Sequence, residues 1–146
     1  YPDSITELLL YAADRAQHVH EIILPSLNKG DWVISDRFCG STLAYQGYGR
    51  KLDIKLIKDL ETIATQKICP DITFLLDISV EESIKRRISR KEDRMEKEGK
   101  DFLSNVSLGF QTLCEDKKWK KISAIKSQEE IISEIKIEIK KLLRNQ

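Results

Sequence analysis

The chain has 146 residues, with 25 Lys and Arg against 24 Asp and Glu, 40% hydrophobic and 34% charged residues, six Gly and three Pro. That length fits one domain, and the composition excludes disordered, collagenous and linker classes. A net charge of +1 offers nucleic acid or membrane no global attraction, no apolar run reaches the ~18 residues of a membrane span, and no basic-then-apolar leader opens the chain, so a cytoplasmic address is expected.

Ser4 and Glu7 are spaced as a capping box, so a helix is expected to follow. Leu8, Leu9, Ala12, Ala13, Ala16, Val19, Ile22 and Ile23 give it a broad apolar face, and Pro25 is its expected stop. Trp32-Val33-Ile34, ending in Ser35-Asp36-Arg37, reads as a buried strand with charge at its carboxyl end. Phe38 to Arg50, with Gly40, Gly47 and Gly49, reads as mostly loop or a helix start beneath a cleft. Leu52, Leu56, Ile57, Leu60 and Ile63 mark a second amphipathic helix.

Pro70-Asp71 introduces the clearest strand, Ile72 to Ile78, and Ser79 with Glu82 forms another capping box before a third helix. Lys85 to Lys100 holds eight Lys or Arg against four Asp or Glu and reads as an exposed, charged lid. Phe102, Leu103, Val106, Phe110 and Leu113 carry a further helix, and Trp119 to Ile125 a short strand. Ser127 with Glu130 caps a last helix lined by Ile131, Ile132, Ile135, Ile139 and Leu142. The alternation, with about three strands, predicts an α/β domain with a parallel sheet. Cys39, Cys69 and Cys114 show neither Cys-x-x-Cys spacing nor nearby His, and are expected to be buried or half-buried thiols.

Ligands of open parallel sheets sit beyond the carboxyl ends of strands, where Asp36 and Arg37 are expected. A carboxylate can hold a metal ion and a guanidinium can clamp a phosphate; a structural ion pair at the sheet edge is the competing reading. Tyr11 and Arg15, one helical turn apart, can address one planar group, or the arginine can simply stack on the tyrosine. Ser41, Thr42, Tyr45 and Gln46 follow closely enough to line the same crevice, or to cap a loop. The guanidiniums between Arg86 and Arg94 suit a transferring phosphoryl group, although a solvated helix face is the commoner meaning of such a run.

Four segments in order resemble the thymidylate kinase family: Glu7-Leu8-Leu9-Leu10-Tyr11-Ala12-Ala13-Asp14-Arg15-Ala16-Gln17-His18-Val19, then Asp36-Arg37-Phe38, then Ser41-Thr42-Leu43-Ala44-Tyr45-Gln46-Gly47-Tyr48-Gly49-Arg50, then Pro70-Asp71-Ile72-Thr73 with Leu76-Asp77. The resemblance runs over essentially the whole chain. It implies a cytoplasmic enzyme, expected as a homodimer, that moves the terminal phosphoryl group of ATP to dTMP, with Mg²⁺, giving dTDP for dTTP biosynthesis. It implies an α/β fold of the P-loop nucleoside monophosphate kinase type, a parallel sheet flanked by helices, with residues 1–146 as one domain and a lid at about 86–100.

By the same resemblance Tyr11 stacks on thymine and Arg15 bonds the base. Arg37 grips the acceptor phosphate, and Asp36 sits beside that phosphate and the metal. Ser41 or Thr42 reads the base edge, Tyr45 and Gln46 pack near the deoxyribose, and Arg90 with Arg87 brings positive charge to the transferring group. No Gly-x-x-x-x-Gly-Lys-(Ser/Thr) loop occurs among these residues, so the expectation is a chain lacking the N-terminal P-loop strand, inactive alone and exposing apolar sheet edges. Other nucleoside monophosphate or deoxynucleoside kinases, and a non-catalytic nucleotide-binding or dimerising remnant, are the alternatives.

Overall fold

The structure, a computed structural model, describes residues 2–87 and 98–144, Arg87 by its backbone only. The chain groups into two compact units, Tyr1–Cys69 and Pro70–Gln146.

The first unit opens with helix α1 (Ser4–His18), whose cap is Asp3 rather than Ser4: Asp3 Oδ1 accepts from the amides of Ile5 and Thr6 at 2.9 and 3.2 Å. The expected Ser4–Glu7 capping box does not form because the Glu7 carboxylate is buried and committed to partners far along the chain. Pro25 does not end the helix. A π-helical turn (Val19–Ile23) follows α1 and passes into α2 (Leu24–Asn28), with Pro25 in its first turn. The widened turn makes room for the proline ring, and a first-turn position needs no amide hydrogen from it. Gly30, at φ 81°, then turns the chain.

Residues Trp32–Ile34 form no strand, which corrects the sequence expectation: Trp32 is 65% and Ile34 92% exposed. Strand composition is not enough, because a strand exists only through a neighbour that takes up its amides and carbonyls, and the described residues supply none here. Of the two readings of Phe38 to Arg50, loop or helix start, the second holds: from Cys39 the chain is helical, as α3 (Cys39–Thr42) and a π-helical segment (Leu43–Gly49). Helix α4 (Ile54–Ala64) follows, capped by Asp53, which accepts from Lys55 and Leu56 amides. α1 packs against α4, and α4 against the π-helical segment. Leu8, Ala12, Val19, Leu43, Ala44, Ile57 and Ala64 fill the space between them.

The second unit holds two parallel strands, β1 (Phe74–Asp77) and β2 (Lys120–Ser123), in the register Phe74 to Lys120 through Asp77 to Ser123. Parallel pairing requires a long crossover, and α5 (Val80–Arg87) and α6 (Lys100–Asp116) lie within it. The Ser127 box forms as expected, Ser127 and Glu130 bonding reciprocally ahead of α7 (Gln128–Arg144). Of the Ser79 box only the bond from the Glu82 amide to Ser79 Oγ is made, because the Glu82 carboxylate faces Lys85 and Arg86 instead. Phe102, Val106, Leu113 and Ile122 are buried apolar residues of this unit. Cys114 is buried and Cys39 half-buried, but Cys69 is exposed, contrary to expectation, since it lies beyond the end of α4 with its thiol toward the Lys67 carbonyl.

Candidate functional site

The first unit is organised around two buried carboxylates. Glu7 is 3% exposed; its Oε1 accepts from Gln46 Nε2 at 2.7 Å and from Arg50 Nε at 3.3 Å, and its Oε2 from Arg50 Nη2 at 3.2 Å. These bonds tie the π-helical segment to α1. Gly47 lies against α4: a Cβ there would meet the Cδ1 end of the Ile54 side chain, which would have to swing aside.

The second carboxylate is Glu61 on α4, with side-chain exposure of 6%; its Oε2 lies 3.5 Å from Arg15 Nε. The Arg15 guanidinium lies over the Phe38 ring, 4.8 Å from its centroid, and its Nη2 donates to Thr42 Oγ1 at 3.5 Å. Sequence spacing places both charges on apolar stripes: Arg15 follows Leu8 and Ala12 on α1, and Glu61 falls between Ile57 and Ala64 on α4. Burial first, and the Glu61 carboxylate second, push the Cys39 thiol up to about 12.

Arg37 adopts the left-handed conformation, φ 73°, as do Lys51, Gln66, Lys67 and Lys118 among the described residues, a conformation uncommon for a residue with a side chain. The Ser35 hydroxyl donates to its carbonyl at 2.8 Å, and its guanidinium lies over the Tyr45 ring at 5.2 Å. The turn thus brings Arg37 and Tyr45 together, as Arg15 and Thr42 are brought together on the same unit. Tyr11 is 41% exposed on α1. Asp36 is exposed and Ser41 and Tyr45 half-buried. Thr42 and Gln46 are buried, each already engaged by a neighbouring side chain.

The ring beneath Arg15 is that of Phe38, not Tyr11. Glu7, Arg50, Glu61, Cys39 and Phe38 are not among the residues that sequence reasoning singles out for the site, though a carboxylate interrupting an apolar helical stripe is an available signal for Glu61. The Arg90 assignment and most of the lid at about 86–100 lie outside the described residues, as does the side chain of Arg87. Among the described residues no three His, Cys, Asp or Glu gather as a metal cluster. No described helix is long and apolar enough to cross a membrane.

The sequence model of the thymidylate kinase family matches residues 2–135. Thymidylate kinases of Prochlorococcus marinus strains NATL2A and NATL1A are 79% and 80% identical to this chain over 144 residues, covering 99% of it and 68% of each relative. That of strain MIT 9303 is 53% identical over 139 residues, 95% of this chain and 64% of the relative. The crystal structure of thymidylate kinase from Ehrlichia chaffeensis superposes with a TM-score of 0.65 at 33% identity, covering 84% of this chain and 55% of that one. The chain therefore spans between about half and two thirds of these proteins.

Proposed function

This chain belongs to the thymidylate kinase family, and from that premise we propose that the polypeptide carrying it transfers the terminal phosphoryl group of ATP to dTMP, with residues 2–69 forming the acceptor side. The observation that carries the reading is the setting of Arg15. Its Nε faces Glu61 and one Nη2 hydrogen Thr42, which leaves the Nη1 hydrogens and the second Nη2 hydrogen as donors for a base carbonyl. Tyr11, one turn earlier on α1 and partly exposed, supplies a ring for the base to stack on. Ser41 is the better placed hydroxyl for the base edge, because Thr42 is buried and engaged. Tyr45 lies toward the deoxyribose, with Gln46 acting behind it.

Arg37 grips the acceptor phosphate, a task for which a guanidinium's paired donors suit phosphoryl oxygens. Asp36 is a single exposed carboxylate, which suits a Mg²⁺ held mainly by nucleotide phosphates and taking few protein ligands. When bound, that ion neutralises charge on the phosphates. Phosphoryl transfer asks for alignment and charge stabilisation rather than covalent work, and arginines delivered by a closing segment are worth ~10³ to 10⁵ in rate in related enzymes. Arg90 and Arg87 take that role in the lid at about 86–100, closing over ATP and excluding water. The family match runs through both units, in support of residues 1–146 as part of one kinase domain.

We place the enzyme in the cytoplasm as a homodimer; Ile5, Leu9 and Leu10, 44 to 60% exposed on α1, provide apolar surface for a second copy. The test is an ADP-release assay on the longest natural polypeptide carrying this chain, with dTMP, dUMP, AMP and thymidine as acceptors and sedimentation for the dimer. Preferred turnover of dTMP is expected; preference for AMP or thymidine would assign the site to another kinase.

A further inference from the structure

We propose that Glu61 is a positioning residue that fixes the Arg15 guanidinium for base recognition, so that a carboxylate on α4 that does not touch the nucleotide sets how well the base is read. This rests on the reading of Arg15 as the base-binding arginine.

Glu61 is buried and Arg15 half-buried, with side-chain exposures of 6% and 13%. Among the described residues Arg15 Nε has no aligned acceptor and the Glu61 oxygens no aligned nitrogen or hydroxyl donor; the Cys39 thiol is the hydrogen-bonding neighbour of that carboxylate. An ionised carboxylate held in that state is costly, and so is a lone guanidinium. Each is the counter-charge nearest the other, at 3.5 Å. Cys39, which lies against the same carboxylate, is a neutral thiol and brings no positive charge.

The remaining contacts of Arg15 constrain it weakly. The Thr42 bond is 3.5 Å long, at the outer edge of hydrogen bonding. The Phe38 ring, 4.8 Å away, restrains the height of the guanidinium plane more than its rotation within that plane. Glu61 acts at Nε, the root of the guanidinium. A charge there selects the rotation about the bond to Cδ and therefore the direction in which Nη1 points. The pair also bridges α1 and α4, so this orientation is referred to the packed core.

The experiment compares wild type, Glu61→Gln and Glu61→Asp in the longest natural polypeptide carrying this chain, by steady-state kinetics with dTMP and dCMP and by NMR exchange of the Arg15 Nε–H. Cytosine carries an amino group where thymine carries a carbonyl, so a misaimed arginine discriminates less between them. For Glu61→Gln the expected result is a KM for dTMP raised roughly 10-fold with kcat within about 2-fold, and a smaller preference over dCMP, since misplacement alone costs on this order. Glu61→Asp restores part of the KM. A fall in kcat with KM unchanged, or no change in either, overturns the proposal.

If Glu61→Gln fails to fold, the wild-type Nε–H decides. Exchange much slower than that of the exposed Arg144 at the end of α7 is expected, and equal exchange overturns the proposal. Wild type that does not phosphorylate dTMP refutes the functional reading instead, while the Nε–H measurement still judges whether Glu61 holds Arg15.

Discussion

Gln46 donates a 2.7 Å hydrogen bond to Glu7 from 39 residues away, and Arg50 closes on the same carboxylate at 3.2 Å. One acidic side chain thereby fastens the π-helical Leu43–Gly49 segment, with Tyr45 on it, to the helix that bears Tyr11 and Arg15. π-helical turns are strained and need such tertiary support.

Replacing Glu7 with Ala should therefore be far more damaging than an ordinary helix-surface change. It removes the acceptor of the buried Gln46 amide and of the half-buried Arg50 guanidinium, and removing one partner of a fully buried pair costs about 3–5 kcal/mol, an upper figure here. Urea unfolding of Glu7→Ala should show a midpoint lowered accordingly. A loss below about 0.5 kcal/mol, the usual range for surface substitutions, would mean that the carboxylate is not the anchor described.

Arg37 separates stability from function. Its φ of 73° disfavours any side chain, a strain of about 1 kcal/mol that Arg37→Gly relieves while it also loses the contact with the Tyr45 ring, so stability should change by no more than about 1 kcal/mol in either direction. The same substitution removes the proposed phosphate grip, and turnover of dTMP should fall by at least roughly 100-fold, the scale of losing a preorganised charged donor. Thermal unfolding and the ADP-release assay on one preparation measure both. A stable protein with undiminished turnover would remove Arg37 from the acceptor site.

What the sequence discloses and what it conceals divides by range. Leu56 to Ile63, Ile72 to Ile78 and the Ser127–Glu130 box are local patterns, and α4, β1 and the α7 cap stand where those patterns put them. Trp32–Ile34 carries equally good strand residues but has no ladder partner among the described residues, and a ladder is not a local property. Glu7 satisfies the i, i+3 rule for a box with Ser4, yet bonds residues 39 and 43 positions away. Arg15 could be chosen from its spacing to Tyr11 and Glu61 from its place in an apolar stripe, while pairing the two depends on α1 packing against α4, and the Phe38 contact on the tertiary path of the chain.

Ile122 probes the second unit. It is 4% exposed at the centre of β2, opposite Leu76 of β1, which is 49% exposed. Ile122→Ala should cost about 2–5 kcal/mol by removing buried methylenes and leaving a cavity, whereas Leu76→Ala should cost appreciably less. Denaturant midpoints of the two variants make the comparison, and equal losses would contradict the packing of β2 against its neighbours.

Cys39 gives a pH dependence with a defined sign. Burial, then the Glu61 carboxylate, raise its pKa from 9.0 to about 12, so the folded protein holds the thiol proton more tightly than the unfolded chain does. The stabilisation is complete below pH 9 and is lost as pH rises toward about 12. Wild type should therefore lose stability across that alkaline interval, and Cys39→Ala should remove that portion of the slope. The same shift keeps Cys39 from being a nucleophile near pH 8, since the thiolate is the reactive form. Iodoacetamide followed by mass spectrometry should find the exposed Cys69 modified well before Cys39. Preferential labelling of Cys39 would show that its thiol ionises readily, and so that it is not buried against Glu61.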